Sequence, residues 1–195
     1  MLVIGLTGSI AMGKSEVAKI MATHNIPIFD SDAEVHKLYD SRAGGDLIRP
    51  FVPEAVVDGK VDRRIITQSV LKNPELLTKL EKSVHAEIKR RRDKFIANAK
   101  TEGKKTVIID SPLLFETGGD KDMDLTIVVS APPLQQRMRA MARPGMTEER
   151  LALIISKQMP DLQKRSKADE IIDNNSTLLE LKKSVETLLK KLKVV

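Results

Sequence analysis

Gly8-Ser9-Ile10-Ala11-Met12-Gly13-Lys14-Ser15 sets two glycines five positions apart and follows them at once with a lysine and a serine. The spacing is G-x-x-x-x-G-K-[S/T], a loop whose successive backbone N–H groups turn inward around a phosphate. Gly8 and Gly13 permit the torsions and the close approach that this needs. The helix that follows adds its positive N-terminal end. In such a loop Lys14 reaches the β- and γ-phosphates of a nucleoside triphosphate, and the Ser15 hydroxyl ligates Mg²⁺. Ala11 and Met12 in the curl and Glu16 in the first helical turn are read as part of the same ATP cradle.

A triphosphate needs an acceptor or a water. Asp30 and Asp32 follow the apolar run "IPIF", at the carboxyl end of a candidate strand, where open α/β sheets face their ligands. A carboxylate there can take a proton from an acceptor hydroxyl or hold Mg²⁺ through water. One of the two can instead cap the helix starting at "DSDAEV". "VIID", ending at Asp110, has the form of a strand whose carboxylate lies near Mg²⁺. Arg137, Arg139, Arg143 and Arg150 flank "RPGMTEER", a segment able to hinge; guanidinium groups on it could close over phosphates. His24, His36 and His85 lie in separate elements without metal-ligand spacing.

These groups need a frame. Short β-rich runs occur at Leu2–Leu6, Ile26–Phe29, Thr106–Asp110, Leu125–Ser130 and Glu170–Asp173. Helix-patterned segments separate them: Lys14–Thr23, one reaching Tyr39, Pro74 to about Lys100, Pro132–Arg143, one starting at Thr147, and a C-terminal stripe of Leu181, Val185, Leu188 and Leu192. The alternation predicts an α/β fold with a five-stranded parallel sheet covered by helices on both faces. Residues 31–100 interrupt it and read as a helical insertion, with 41–63 loop-rich because Gly44-Gly45, two prolines and Asp58-Gly59 are turn signals. In the long helix, Leu77, Leu80, Val84 and Ile88 are read as the apolar stripe, which leaves "KRRR" at Lys89–Arg92 facing solvent. Leu134, Met138 and Met141 share one helical face, and the methionines are read as core filler.

Composition narrows the class. Aromatics are 3% of residues, so the core must be aliphatic. The absence of cysteine excludes disulfides and thiolate metal sites. No apolar run approaches the roughly 18 residues of a membrane span, and "MLVIGL" is too short for a signal peptide. A cytoplasmic protein with no membrane partner is expected. The net charge of +6 suits a nucleic acid or a small anionic substrate. Basic residues are scattered and not interleaved with aromatics, so small anions are favoured and no nucleic-acid partner is expected. A GTP switch should carry Asn-Lys-x-Asp, which is absent, and a motor usually needs a longer chain. The residues alone therefore point to an ATP-dependent kinase of a small molecule. A regulatory nucleotide-binding module without transfer activity is the other class.

Taken in order, "GLTGSIAMGKSEV", "IFDSDAEVHKLY", "VDGKVDR", "LEKSVHAEI", "IIDSPLLFETG", "IVVSAPPLQQRMRAMARPGMTEE" and "KQMPDLQKRSKADEIIDNN" resemble the dephospho-CoA kinase family over nearly the whole chain. The resemblance implies a P-loop three-layer α/β/α kinase carrying a helical substrate-binding insertion and a lid. It implies transfer of the γ-phosphoryl of ATP, with Mg²⁺, to the ribose 3′-hydroxyl of dephospho-CoA, giving CoA and ADP. On this chain it implies Asp32 as the base, with Lys14 and Arg137 as the other catalytic groups. Thr7 and Gly8 would border the acceptor. His85, Leu113 and Leu114 would contact it, Arg143 would belong with Arg137 to a lid at about 137–152, and Asn174 would shape the adenine site. Ser15 and Asp110 would serve the metal. The insertion 31–100 would bind CoA, and the enzyme would be a monomer or weak homo-oligomer. The chain departs from the family at Ala11-Met12, where Gly-Ser is frequent, at Ala86, where a proline usually follows the histidine, and at Ser111, where Val or Ile is usual. The runner-up is another nucleoside or nucleotide kinase of the same architecture.

Overall fold

The computed structural model describes residues 1–194. In chain order the elements begin with β1 (Leu2–Thr7), α1 (Lys14–Ala22) and β2 (Ile28–Asp30). There follow α2 (Ser31–Tyr39), α3 (Arg42–Ile48), the two-residue strands β3 (Val56–Val57) and β4 (Lys60–Val61), α4 (Arg63–Lys72) and the 27-residue α5 (Glu75–Thr101). The remainder comprises β5 (Thr106–Asp110), β6 (Leu125–Ser130), α6 (Pro133–Met141), α7 (Glu148–Ser156), α8 (Asp161–Lys167), β7 (Glu170–Asp173) and α9 (Leu178–Lys191). Among the described residues no helix is long and apolar enough to cross a membrane. The chain divides into two compact units, Met1–Phe29 with Asn98–Val195, and Asp30–Ala97.

The first unit is built on a five-stranded parallel sheet in the order β2-β5-β1-β6-β7. Its strands are close to the runs expected from sequence, and the near-continuous apolar content of the three central strands, β1, β5 and β6, follows from burial on both faces. Leu6 of β1 pairs with Asp110 of β5, so the ends of these neighbouring strands lie side by side at the carboxyl edge of the sheet. On one face, Ile4, Leu6, Ile108, Ile127, Val129 and Ile172 pack against Val17 and Met21 of α1 and Val185 and Leu189 of α9. A capping box of Thr177 and Glu180 fixes the start of α9. On the other face, Leu114 lies over the backbone of Gly5, 2.6 Å from where a Cβ would stand.

The second unit has its own aliphatic core of Leu38, Ile48, Val52, Ala55, Val61, Leu80 and Val84. Segment 41–63, expected to be loop-rich, contains helix α3 and the β3–β4 hairpin. Gly44 and Gly45 lie inside α3 because a Cβ would stand 2.0 Å from the Leu38 carbonyl oxygen and 2.5 Å from that of Gly59. Close approach, not chain reversal, explains this pair. In α5 the stripe is Leu76, Leu80, Val84 and Ile88, and Leu77 is exposed. Arg92 stands next in that four-residue series and is buried, which corrects the solvent-facing reading of "KRRR" for its last residue. Arg91, half-buried, pairs with Glu87 and reaches Glu34 of α2, while Lys89 and Arg90 are exposed.

One further expectation, that the methionines fill the core, fails in part in the first unit. Leu134 and Met138 of α6 are exposed, so that face does not point into a core, and only Met141 joins a cluster, with Ala11, Ala140 and Leu151. The methionines divide accordingly: Met12 and Met21 are buried, whereas Met1 and Met138 are exposed. Helix α8, with its basic "KRSK" run, carried no sequence expectation of its own.

Candidate active site

The loop between β1 and α1 is shaped by two left-handed residues, Ala11 at φ 61° and Gly13 at φ 98°. Ala11 takes this conformation at a cost that its burial against Ala140 and Leu151 helps to offset. Among the described residues no side chain caps α1. That leaves the helix start open in the way an anion site requires. Gly8 passes so close to β6 that a Cβ would stand 2.7 Å from the Val129 carbonyl oxygen.

Three side chains hold the curl from outside. The buried Asn174, just after β7, donates from Nδ2 to the Met12 carbonyl at 2.9 Å. Gln136 of α6 donates to the Ile10 carbonyl, and Gln158 beyond α7 accepts from the Ile10 N–H, both at 2.9 Å. Sequence reasoning found Asn174 only through the resemblance and did not find the glutamines. A glutamine has no chemical signature of its own, and only the folded loop shows what it reaches.

Inside this frame Lys14 forms an ion pair with Asp110, whose side chain is only 4% exposed. The pair joins the phosphate loop to the adjacent strand end. Ser15 is exposed at the start of α1. Among the described residues there is no cluster of three or more His, Cys, Asp or Glu placed to hold a metal ion. Mg²⁺ does not need one, because it is commonly held by one or two carboxylates together with substrate phosphates and water. The Ser15 hydroxyl and the Asp110 carboxylate fit that sparse donor set. Thr7 is fully buried, its hydroxyl 3.4 Å from the Pro112 carbonyl. Leu113 is half-buried and Leu114 is buried in the turn after Asp110.

The arginines separate by environment. Arg137 clasps Glu148 across α6 and α7 (2.5 and 3.2 Å), and this hydrogen-bonded partner pushes its already high pKa further up. Arg139 donates to the Asn174 carbonyl and Arg150 to the Gly145 carbonyl, so both brace the backbone. Arg143 is exposed.

In the second unit the two aspartates have different surroundings. The Asp30 carboxylate accepts the Ala33 N–H at 2.9 Å and caps α2. Asp32 is exposed in the first turn of α2. His85 is exposed on α5, and His36 lies 3.5 Å from Arg63.

A parallel sheet with a phosphate loop after its central strand, a carboxylate at the end of the neighbouring strand and arginine-bearing helices beyond defines a P-loop kinase fold. Residues 2–180 match the family model described as dephospho-CoA kinase. The chain is 44% identical over 193 residues to the dephospho-CoA kinase of Mesorhizobium japonicum, covering 99% of this chain and 98% of that protein. The crystal structure of TT1252 from Thermus thermophilus superposes with a TM-score of 0.83 at 32% identity, covering 98% of this chain and 97% of that one. The dephospho-CoA kinase from Campylobacter jejuni has the same fold, with a TM-score of 0.73 at 24% identity and coverage of 97% and 96%. The chain belongs to the dephospho-CoA kinase family.

Proposed function

We propose that this protein transfers the γ-phosphoryl group of ATP to the ribose 3′-hydroxyl of dephospho-CoA, releasing CoA and ADP. The observation that carries the chemistry is the Lys14–Asp110 pair beside the uncapped start of α1. A lysine held there is placed to exchange a carboxylate for phosphate oxygens. The loop amides from Ala11 to Glu16 and Lys14 bind the triphosphate. Mg²⁺ when bound would neutralise charge on the phosphates, with Ser15 and Asp110 to hold it. Asp32 takes the proton of the attacking hydroxyl, since Asp30 is engaged as a cap. Arg137 and Arg143, on a lid at about 137–152, close over the phosphates and exclude water, so that transfer outpaces hydrolysis.

Thr7, Leu113 and Leu114 border the acceptor. The insertion 31–100 and His85 are read as serving CoA binding. Asn174 contributes to the adenine side by holding the loop on which the nucleotide rests. The protein works in the cytoplasm as a monomer or weak homo-oligomer, and its net charge of +6 suits two polyanionic substrates. The test is ADP release from ATP and Mg²⁺ with dephospho-CoA, against adenosine, AMP and CMP. Turnover with dephospho-CoA alone supports the assignment. Turnover with a mononucleotide instead keeps the kinase chemistry and overturns the acceptor.

A further inference from the structure

Lys164 of α8 has no solvent exposure. Its ammonium donates to the Pro112 carbonyl at 2.8 Å and pairs with Glu116 Oε1 at 2.9 Å. The same Oε1 accepts the Met159 N–H at 2.7 Å, while the buried Oε2 has no hydrogen-bond partner among the described residues. Thr7 also approaches the Pro112 carbonyl, at 3.4 Å. Burying an ion pair is costly, and an apolar side chain of similar volume often serves stability as well or better. Position is what the charge adds. It draws the turn after Asp110 onto α8 at two points, one of them two residues from the carboxylate that holds Lys14. It also ties that turn to residues 158–159, whose Gln158 grips the phosphate loop at Ile10.

We propose that Lys164 and Glu116 are positioning residues for the phosphoryl acceptor, fixing the 111–118 turn so that Thr7, Leu113 and Leu114 present a rigid wall to it. This rests on the acceptor reading given above. A wall displaced by about 1 Å costs on the order of 100-fold in rate. The experiment compares Lys164→Met, which keeps the volume and removes the charge, with Glu116→Gln, which keeps the shape and weakens the pairing. The readouts are thermal unfolding, ATP affinity measured without acceptor, and kcat/KM for dephospho-CoA.

The expected result is cooperative unfolding and ATP affinity within about threefold of the parent. Acceptor kcat/KM should fall about 100-fold in Lys164→Met and about tenfold in Glu116→Gln, and the double variant should be no worse than Lys164→Met. Parental kcat/KM in folded variants, or an equal loss of ATP affinity, overturns the proposal. Should Lys164→Met fail to fold, Glu116→Gln decides by the same criteria. If the parent itself does not phosphorylate dephospho-CoA, the acceptor reading has failed, and amide exchange across 111–118 then decides the clamp. Faster exchange in Glu116→Gln supports it, and unchanged exchange overturns it.

Discussion

Gly13 and Asn174 are coupled tightly enough to be tested as a pair. A Cβ on Gly13 would stand 2.0 Å from Asn174 Nδ2, the atom that donates to the Met12 carbonyl. Gly13→Ala must therefore displace the buried amide as well as hold alanine at φ 98°. The left-handed torsion costs about 1–2 kcal/mol. The lost buried hydrogen bond costs about 1–3 kcal/mol. Gly13→Ala should thus destabilise by about 2–5 kcal/mol, and Asn174→Ala, which loses only the bond, by about 1–3 kcal/mol. In the double variant there is no amide to displace, so the bond is lost once and not twice. Urea unfolding followed by circular dichroism should show the double variant about 1–3 kcal/mol more stable than the sum of the singles requires. ATP affinity should fall in all three, because the Met12–Gly13 backbone belongs to the phosphate loop. Additivity within about 0.5 kcal/mol would refute the coupling and the role of Asn174 as the brace of that loop.

Other expectations concern single groups. Asp32→Asn should lower kcat by about 10²–10⁴ with no change in melting temperature. Asp30→Ala should lose about 1 kcal/mol of stability with kcat retained, and the reverse pattern would make Asp30 the base. Arg137→Ala should lower kcat by about 10³ with melting unchanged, since its pair with Glu148 is solvent-exposed; steady-state kinetics and a thermal melt check both halves. Glu87, held at about 2 chiefly by the hydrogen bond from Arg90 and also by Arg91, has a folded-state pKa below the ordinary 4.5. Its contribution is present above the unfolded value and is lost as pH falls from there towards about 2. Urea midpoints measured across that range should therefore fall less steeply for Glu87→Gln than for the parent.

What the sequence made legible follows from the kind of physics involved. The phosphate loop was readable because local backbone requirements dictate its residue types, and the strands because burial on both faces leaves continuous apolar runs. Asp30 and Asp32 were recognisable as a pair, but only the Ala33 N–H distinguishes cap from free carboxylate. Helix α3 was missed because glycine signals either a turn or a close approach, and only the Leu38 and Gly59 carbonyls decide which. Arg92 and Lys164 sit in basic runs that normally face water, yet both are buried; Lys164 meets Glu116 and Pro112, which are distant in sequence. Leu134 and Met138 show the opposite failure, an apolar face left exposed. Gln136 and Gln158, some 126 and 148 residues from the Ile10 backbone they hold, lie beyond any local pattern.

The most direct measurement follows the label from γ-labelled ATP through a single turnover with dephospho-CoA and Mg²⁺. The account predicts that the label appears in CoA as a phosphate on the ribose 3′-oxygen, removable by a 3′-specific phosphatase, with one ADP formed per label transferred. Label recovered as inorganic phosphate, or attached at any other position of the acceptor, would contradict it.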